Sequence, residues 1–201
     1  MSTNLTSARS ITEIPEPAIA RLLFADTRLA TLWLIIRLYV GWEWLVAGWE
    51  KLTNPAGVWT GAKAGAALNG FAQGALKKTS GDHPDVAAWY SWFLQHAVLP
   101  HAALFSYMVT FGEILVGLAL ITGLLTGIAA FFGGFMNANY LLAGTVSTNP
   151  MLFILATWLV LAWRVAGYWG LDRWALPFLG VPGEPGTLFQ HRNAKAALRT
   201  E

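Results

Sequence analysis

Three charged side chains interrupt apolar stretches that are otherwise long enough to form membrane helices. Arg37, Glu113 and Arg164 lie in three different stretches. At 1.5 Å per residue, we expect Arg37 about 13 Å deep, Glu113 at a similar level, and Arg164 somewhat closer to the cytoplasm. An unpaired charge there costs at least about 2.5–3.5 kcal/mol. A carboxylate between two arginines offsets much of that cost and stays ionised. One interpretation is therefore an ion pair or triad that only holds the helices in register.

The other interpretation is a ligand pocket lined by two polar layers. Glu43, Asn137 and Asn139 are expected nearer to the outer side than Arg37 and Glu113. Such a pocket suits a quinone ring, which has an apolar body and two carbonyl oxygens that need donors. We expect Arg37 and Asn137 or Asn139 to be these donors, with Glu113 holding Arg37 in place. The predicted pocket residues are Arg37, Trp44, Glu113, Asn137, Asn139 and Arg164, and no catalytic residue is assigned.

Cationic and histidine side chains gather on the side predicted to be outside. Glu43, Lys51 and His96 form a second candidate set, which would contact an anionic substrate. The more common role of such lysines is contact with anionic lipid headgroups. None of the four histidines lies deep in an apolar stretch, so we expect neither a haem held by two histidines nor a metal site.

The composition restricts the class of protein. Of 201 residues, 55% are hydrophobic and only 12% are charged, whereas soluble domains have roughly 25% charged residues. The sequence therefore predicts an integral membrane protein. A formal net charge of +2 does not indicate nucleic acid as a partner. The chain has no cysteine, which excludes disulfides, iron–sulfur clusters, covalently attached haem and thiolate chemistry within it.

The pattern of apolar stretches predicts an all-α fold, a four-helix transmembrane bundle with an amphipathic helical insertion between the first and second spans. Each predicted span is about 18–23 residues, the length that crosses a hydrocarbon core of about 30 Å. The chain is predicted to consist of a polar tail at 1–27, a membrane domain at 28–172 and a second tail at 173–201. Within the membrane domain, the spans lie at about 29–51, 102–121, 124–144 and 151–169, and the outer insertion lies at 52–100.

The first span carries the polar residues on separate faces. Gly-Trp-Glu occurs at 41–43 and again at 48–50. At about 100° per residue, Glu43 and Glu50 point away from the face that carries Arg37 and Lys51. We expect the latter face, which includes Gly41, Trp44 and Gly48, to meet Glu113 and the bundle interior. The glutamate face is expected to turn toward Asn137 and Asn139 or toward the insertion.

Lysine and arginine counts predict the orientation. With four spans, both termini lie on one side, and they are flanked by more Lys and Arg residues than the long insertion. The positive-inside rule then places both termini in the cytoplasm and residues 52–100 outside.

Several motifs resemble the DoxX/DoxD family of small membrane proteins. The similar stretches are Arg37-Leu38-Tyr39-Val40-Gly41-Trp42-Glu43-Trp44, Gly48-Trp49-Glu50-Lys51-Leu52, Phe111-Gly112-Glu113-Ile114-Leu115-Val116-Gly117-Leu118-Ala119-Leu120, Asn137 to Asn139, Thr148-Asn149-Pro150 and Trp163-Arg164-Val165-Ala166-Gly167-Tyr168-Trp169-Gly170-Leu171-Asp172. The resemblance covers about residues 30–172. The long insertion is more similar to the DoxD branch, the larger subunit of thiosulfate:quinone oxidoreductase.

The resemblance implies a bacterial or archaeal cell membrane protein linked to thiosulfate oxidation, with quinone as electron acceptor and tetrathionate as product. It also implies a second, DoxA-like redox subunit, in addition to membrane lipid; a homo-oligomer is left open. Without cysteine, the chain cannot hold thiosulfate covalently, so any chemistry within it is noncovalent. Two alternatives are a non-catalytic anchor for a peripheral oxidoreductase and, ranked last, a small anion transporter.

Overall fold

The computed structural model describes residues 16–181, and this part of the chain is helical with no strand. The predicted all-α class is confirmed. The remainder of the two predicted tails, 1–15 and 182–201, lies outside the described residues. The helices are α1 (Ala18–Ala25), α2 (Ala30–Leu52), α3 (Ala66–Leu76), α4 (Ala88–Phe93), α5 (Ala102–Thr122), α6 (Thr126–Leu142), α7 (Asn149–Leu161), α8 (Trp163–Ala166) and α9 (Asp172–Phe178).

Within residues 16–181, two helical segments are long and apolar enough to cross a membrane. One is Thr27–Leu52, which contains α2, and the other is Ala88–Thr122, which contains α4 and α5. α4 continues into α5 through a π-helical turn at Leu94–Val98 and a 3-10 turn at Leu99–His101. These two segments contain the first and second predicted spans, and their length and hydropathy suit a membrane crossing.

The other two predicted spans are shorter in the structure. α6 has 17 residues and α7 has 13. The prediction of one helix over 151–169 is wrong, because α7 ends at Leu161 and the four-residue α8 follows after Ala162. The arrangement of four spans therefore stays a prediction.

Glycines allow the closest helix packing, between α2 and α5. A Cβ atom at Gly117 would lie 2.6 Å from the Leu45 backbone nitrogen, and one at Gly48 would lie 2.8 Å from the Ile114 nitrogen. Only glycine lets the two backbones approach this far. α6 packs mainly on α7, whereas α5 and α6 share fewer contacts. A groove therefore remains between α5 and α6.

The insertion folds over one end of these helices, called here the insertion end. α3 is amphipathic as predicted, since it buries Leu68, Ala72 and Ala75. These side chains pack with residues of the segment after α3 and with Ala143, which directly follows α6. Trp89 and Trp92 of the segment after α3 are each 62% exposed. The insertion is thus packed on the bundle through its own small core.

The opposite end, called here the Arg37 end, is closed by the α5–α6 turn and the segment before α9. Gly123 in this turn has φ +69°, a left-handed conformation that glycine adopts without strain. The backbone nitrogen of Asp172 donates to the Gly123 carbonyl oxygen at 2.8 Å. α1 lies nearby, since its Leu23 carbonyl accepts a hydrogen bond from the Trp33 indole at 2.8 Å. Outside the spans, hydrogen bonds from Arg28 hold the pKa of the Asp26 carboxyl below its usual value.

Candidate functional site

Three polar side chains from three helices form a hydrogen-bonded cluster near the insertion end. The Nζ atom of Lys51 (α2) donates to Glu113 Oε2 (α5) at 2.7 Å and to Oε1 at 3.0 Å. The hydroxyl group of Tyr140 (α6) donates to Glu113 Oε1 at 2.7 Å. Both carboxylate oxygens are therefore occupied by charged or polar donors, which is the arrangement that keeps a buried carboxylate tolerable. We call this set the Lys51–Glu113–Tyr140 cluster.

The cluster connects the bundle interior to the insertion. The Glu113 side chain is only 1% exposed, whereas that of Lys51 is 18% exposed. Lys51 Nζ also lies 5.2 Å from the centre of the Trp59 ring, close enough for a cation–π interaction. Gly48 places α2 against α5 at this level, because its missing side chain leaves room for Glu113. Lys51 thus connects the buried Glu113 carboxylate to solvent at the insertion end.

A cavity of about 580 Å³ occupies the groove between α5 and α6. Exposed side chains such as Leu115, Ile128, Phe132 and Phe135 form its walls, so it faces away from the bundle interior. Phe71, Tyr90 and Phe93 of the insertion region line it at one end, where Asn139 and Tyr140 are also found. The groove is therefore an apolar channel whose polar groups are confined to the insertion end.

The polar end of the groove is tied together by hydrogen bonds. The Tyr90 hydroxyl group lies 3.0 Å from the Asn139 carbonyl oxygen and 3.2 Å from its Oδ1. Asn139 Nδ2 donates to the Phe135 carbonyl oxygen at 2.8 Å. Tyr140 joins the groove to the Lys51–Glu113–Tyr140 cluster, because its ring lines the groove and its hydroxyl group contacts Glu113.

The predicted inner layer of Arg37, Glu113 and Arg164 is not formed. Arg37 is buried at the Arg37 end, where its Nη2 donates to the Trp169 carbonyl oxygen at 3.1 Å. A Cβ atom at Gly123 would overlap its guanidinium group. Arg164 is exposed and lies 5.4 Å from the Trp163 ring centre. The carboxylate of Glu113 instead pairs with Lys51, so the predicted role of Glu113 in holding Arg37 is wrong.

The other predicted pocket residues are divided between the interior and the groove. Trp44 and Asn137 are buried among the helices, at 3% and 0% exposure. Asn139 is half-buried and lines the groove. The structure therefore brings Asn139 to a cavity and encloses Trp44 and Asn137 in the bundle.

The predicted outer set is also divided. Lys51 is paired with Glu113, while His96 is exposed and stacks on Trp92 with ring centres 4.8 Å apart. Glu43 is half-buried. Between residues 16 and 181, no hydrogen bond or ion pair joins Glu43, Lys51 and His96 to one another. No group of three or more metal-ligating side chains occurs in the same range.

One structurally important residue was missed in the sequence. Asp172 is 2% exposed, and its carboxylate accepts hydrogen bonds from the backbone nitrogens of Leu125 and, at 2.9 Å, Thr126. It thus caps the first turn of α6 and offsets the strain of Leu125, which has φ +49°. Its charge also faces Arg37. No local motif announces this role, because Asp172 lies more than forty residues from the amides that it caps.

Comparison with known proteins gives a single result. Searches of curated proteins and of solved structures returned no match. The DoxX family model matches residues 32–146, which is more than half of the chain and includes α2 from its third residue on, the insertion, α5 and α6. Glu113, Lys51 and Tyr140 all lie within this range. The chain therefore belongs to the DoxX family, and its two apolar helical segments agree with a membrane protein of that type.

Proposed function

We propose that this chain is a membrane subunit of a redox system and that it binds a quinone in the groove between α5 and α6. The observation that carries the proposal is an apolar groove whose one polar end is joined to a buried ionisable cluster. A cavity of about 580 Å³ is within the usual range of small-molecule sites, roughly 300–1,000 Å³. The isoprenoid tail of a quinone would lie along the apolar walls, and its ring would lie beside Tyr140 and Asn139.

This placement differs from the pocket predicted from the sequence. Arg37 and Asn137 do not line the groove, so they are not donors to the quinone in this proposal. The nearest polar groups are the hydroxyl groups of Tyr90 and Tyr140 and the amide of Asn139. Each is already hydrogen-bonded within the protein, so binding a carbonyl oxygen requires one of them to exchange its partner.

The cluster supplies a route for the protons that quinone reduction consumes. A quinone takes up two electrons and two protons to become a quinol. Lys51 would pass a proton to the Glu113 carboxylate, and Glu113 would pass one to the Tyr140 oxygen while Tyr140, its hydroxyl group turned toward the quinone, gives its own proton to a quinone oxygen. The same transfers, repeated once, would supply the second proton. Lys51 is 18% exposed, so it would recover its proton from water at the insertion end. The first two transfers follow the hydrogen-bonded pairs Lys51–Glu113 and Glu113–Tyr140, and the last follows the hydrogen bond that Tyr140 would form with the quinone.

The proposal takes the electrons from a separate donor. The family resemblance suggests thiosulfate as the donor, two molecules of which give tetrathionate and two electrons. A chain without cysteine cannot carry a covalent thiosulfate adduct, so we assign this step to a second, DoxA-like redox subunit. We place the complex in the cell membrane of a bacterium or archaeon.

The four-span bundle with cytoplasmic termini is part of the same proposal. α6 and α7 expose large apolar side chains that water would not favour, among them Ile128, Phe131, Ile154 and Leu161. Lipid would cover them. At 1.5 Å per residue, α6 is about 26 Å long, only slightly shorter than the hydrocarbon core. α7 is shorter, but α8 follows it directly after Ala162.

Photoaffinity labelling tests quinone binding. A short-chain azidoquinone is added to the purified chain in lipid nanodiscs, and labelled peptides are mapped by mass spectrometry. Labelling of α5 and α6, competed by unlabelled quinone, is expected. Gly112→Leu should abolish it, because this side chain would enter the groove beside Met136. Leu118→Phe is the control, since Leu118 is exposed on α5 outside the groove.

The result also decides between the proposal and the anchor alternative. Competed labelling of the groove that Gly112→Leu removes supports a quinone site. Labelling that excess quinone does not compete, or that spreads equally over all lipid-facing helices, contradicts it. In that case the groove holds a lipid chain, and a non-catalytic anchor for a peripheral oxidoreductase becomes the better explanation.

A further inference from the structure

Two parallel helices, α2 and α6, place facing residues at matching intervals of seven. On α2 these are Arg37, Trp44 and Lys51, and on α6 the corresponding positions are Thr126, Gly133 and Tyr140. Residues seven apart lie within about 20° of each other around a helix, so each series occupies one face. The series on α2 extends over about 21 Å, at 1.5 Å per residue.

The contacts show that the two faces oppose each other. At the insertion end, Lys51 and Tyr140 bind the same carboxylate. One layer deeper, a Cβ atom at Gly133 would lie 2.9 Å from Trp44 Nε1. At the Arg37 end, the guanidinium group of Arg37 lies against Gly123, three residues before Thr126. We call this series of layers the polar column.

Among the described residues, all of the unpaired buried side-chain atoms belong to this column or to Asn137, which lies one helical turn after Gly133 on the same side of α6. Within residues 16–181, six buried nitrogen or oxygen atoms of side chains have no hydrogen-bond partner. A buried polar group without a partner costs about 1–3 kcal/mol, and such groups are rare. Here all six lie between the Lys51–Glu113–Tyr140 cluster and the Arg37 end. They are Arg37 Nε and Nη1, Trp44 Nε1, Thr126 Oγ1, and Asn137 Nδ2 and Oδ1.

We propose that the polar column binds internal water molecules, with a principal site between Trp44 and Asn137. Trp44 offers only a donor, whereas Asn137 offers both donors and an acceptor. A ligand that satisfies both must donate and accept, and it must be small, because the two side chains are 3% and 0% exposed. Water meets these conditions, and buried waters typically make about three hydrogen bonds to groups of this kind. Gly133 has no side chain, which lets the indole nitrogen of Trp44 lie against α6 one helical turn from Asn137.

The charged residues at the two ends of the polar column limit its role in proton transfer. At the insertion end it adjoins Glu113, whose charge internal water would help to solvate. At the other end lies the positive charge of Arg37, which repels an excess proton. The column is therefore a closed, hydrated extension of the Lys51–Glu113–Tyr140 cluster rather than a proton channel. This inference does not depend on what occupies the α5–α6 groove.

Two tryptophans of α2 provide a matched test. Trp33 and Trp44 are both buried, but the Trp33 indole donates to the Leu23 carbonyl oxygen while that of Trp44 has no partner among the described residues. The protein is labelled with ¹⁵N-tryptophan in nanodiscs, and Trp33→Phe and Trp44→Phe identify the two indole signals. A magnetisation-transfer experiment then detects bound water. The Trp44 indole should show a water cross-peak and exchange quickly in D₂O, and the Trp33 indole should show neither.

Two variants test whether the site is the one described. Gly133→Ala places a methyl group 2.9 Å from Trp44 Nε1, and Asn137→Leu removes the second partner of the water. Each should remove the water cross-peak of Trp44. If the wild-type Trp44 indole lacks the cross-peak and exchanges as slowly as that of Trp33, the column is dry and the proposal fails. If the cross-peak survives both substitutions, the Trp44–Asn137 site is wrong.

Discussion

Lys51 and Glu113 form an ion pair of 2.7 Å between α2 and α5, with Glu113 almost completely buried. This pair, rather than a pair between Glu113 and Arg37, joins the first two long helices. A carboxylate that loses such a partner remains charged in a low-dielectric interior or must take up a proton. The stability of the α2–α5 packing therefore depends on both members being present.

Lys51→Met is expected to destabilise the protein, at the lower end of the range of about 3–5 kcal/mol for breaking a buried ion pair, because Lys51 is partly exposed. The measurement is the free energy of unfolding in mixed micelles titrated with SDS. Adding Glu113→Gln to Lys51→Met should recover most of the loss, since the unpaired charge is then removed. Lys63→Met is the control, because Lys63 is exposed. Equal stability of Lys51→Met and Lys63→Met would contradict the importance of the pair.

The positions of the two long helices could be predicted from the sequence, but the ion pair between them could not. Span boundaries at 29–51 and 102–121 agree with α2 and α5 to within one residue, because hydropathy and Pro55 mark them. The side of α2 that carries Arg37 and Lys51 was also predicted to face Glu113. Whether Arg37 or Lys51 pairs with Glu113 depends on the position of α5 along the axis of α2. The two candidates are 14 residues apart on α2, so the two pairings correspond to very different positions. The close contacts at Gly48 and Gly117 fix that position.

The remaining differences also come from long-range structure. Arg164 was expected in the interior because the last helix was extended to 169, whereas the break at Ala162 turns Arg164 outward. The groove between α5 and α6 has no sequence signal of its own, since its walls are ordinary apolar side chains. Helix periodicity shows which residues share a face, but it does not show how far two neighbouring helices separate.

Gly117→Ala is expected to destabilise the α2–α5 contact by about 1–3 kcal/mol, as overpacking does in other interiors. The added Cβ atom would lie 2.6 Å from the Leu45 backbone nitrogen, which cannot move without shifting α2. Unfolding in mixed micelles is again the measurement. Gly74→Ala on α3 is the matched control, because no atom lies within 4 Å of its added Cβ atom. That substitution should stabilise α3 by up to about 1 kcal/mol through helix propensity.

Tyr140→Phe separates quinone binding in the groove from proton delivery to the bound quinone. It removes the hydroxyl group that contacts Glu113 and keeps the ring that lines the groove. Azidoquinone labelling should therefore persist. The rate of quinone reduction by the complete complex should fall by about tenfold or more, which corresponds to an increase of at least about 1.4 kcal/mol in the activation free energy. Tyr39→Phe is the control, since Tyr39 is exposed on α2. Unchanged reduction by Tyr140→Phe would exclude the proton route through Glu113 but not quinone binding.

Asp172→Asn is expected to destabilise the Arg37 end of the protein by about 1–3 kcal/mol. The aspartate accepts hydrogen bonds from the backbone nitrogens of Leu125 and Thr126, and asparagine can replace only one of its two oxygens. The substitution also removes the negative charge that faces Arg37. Hydrogen exchange should show the loss first in the initial turn of α6, with the Lys51–Glu113–Tyr140 cluster unaffected. Asp82→Asn in the exposed loop of the insertion is the control. Protection of α6 that is identical in both variants would show that Asp172 does not hold this turn.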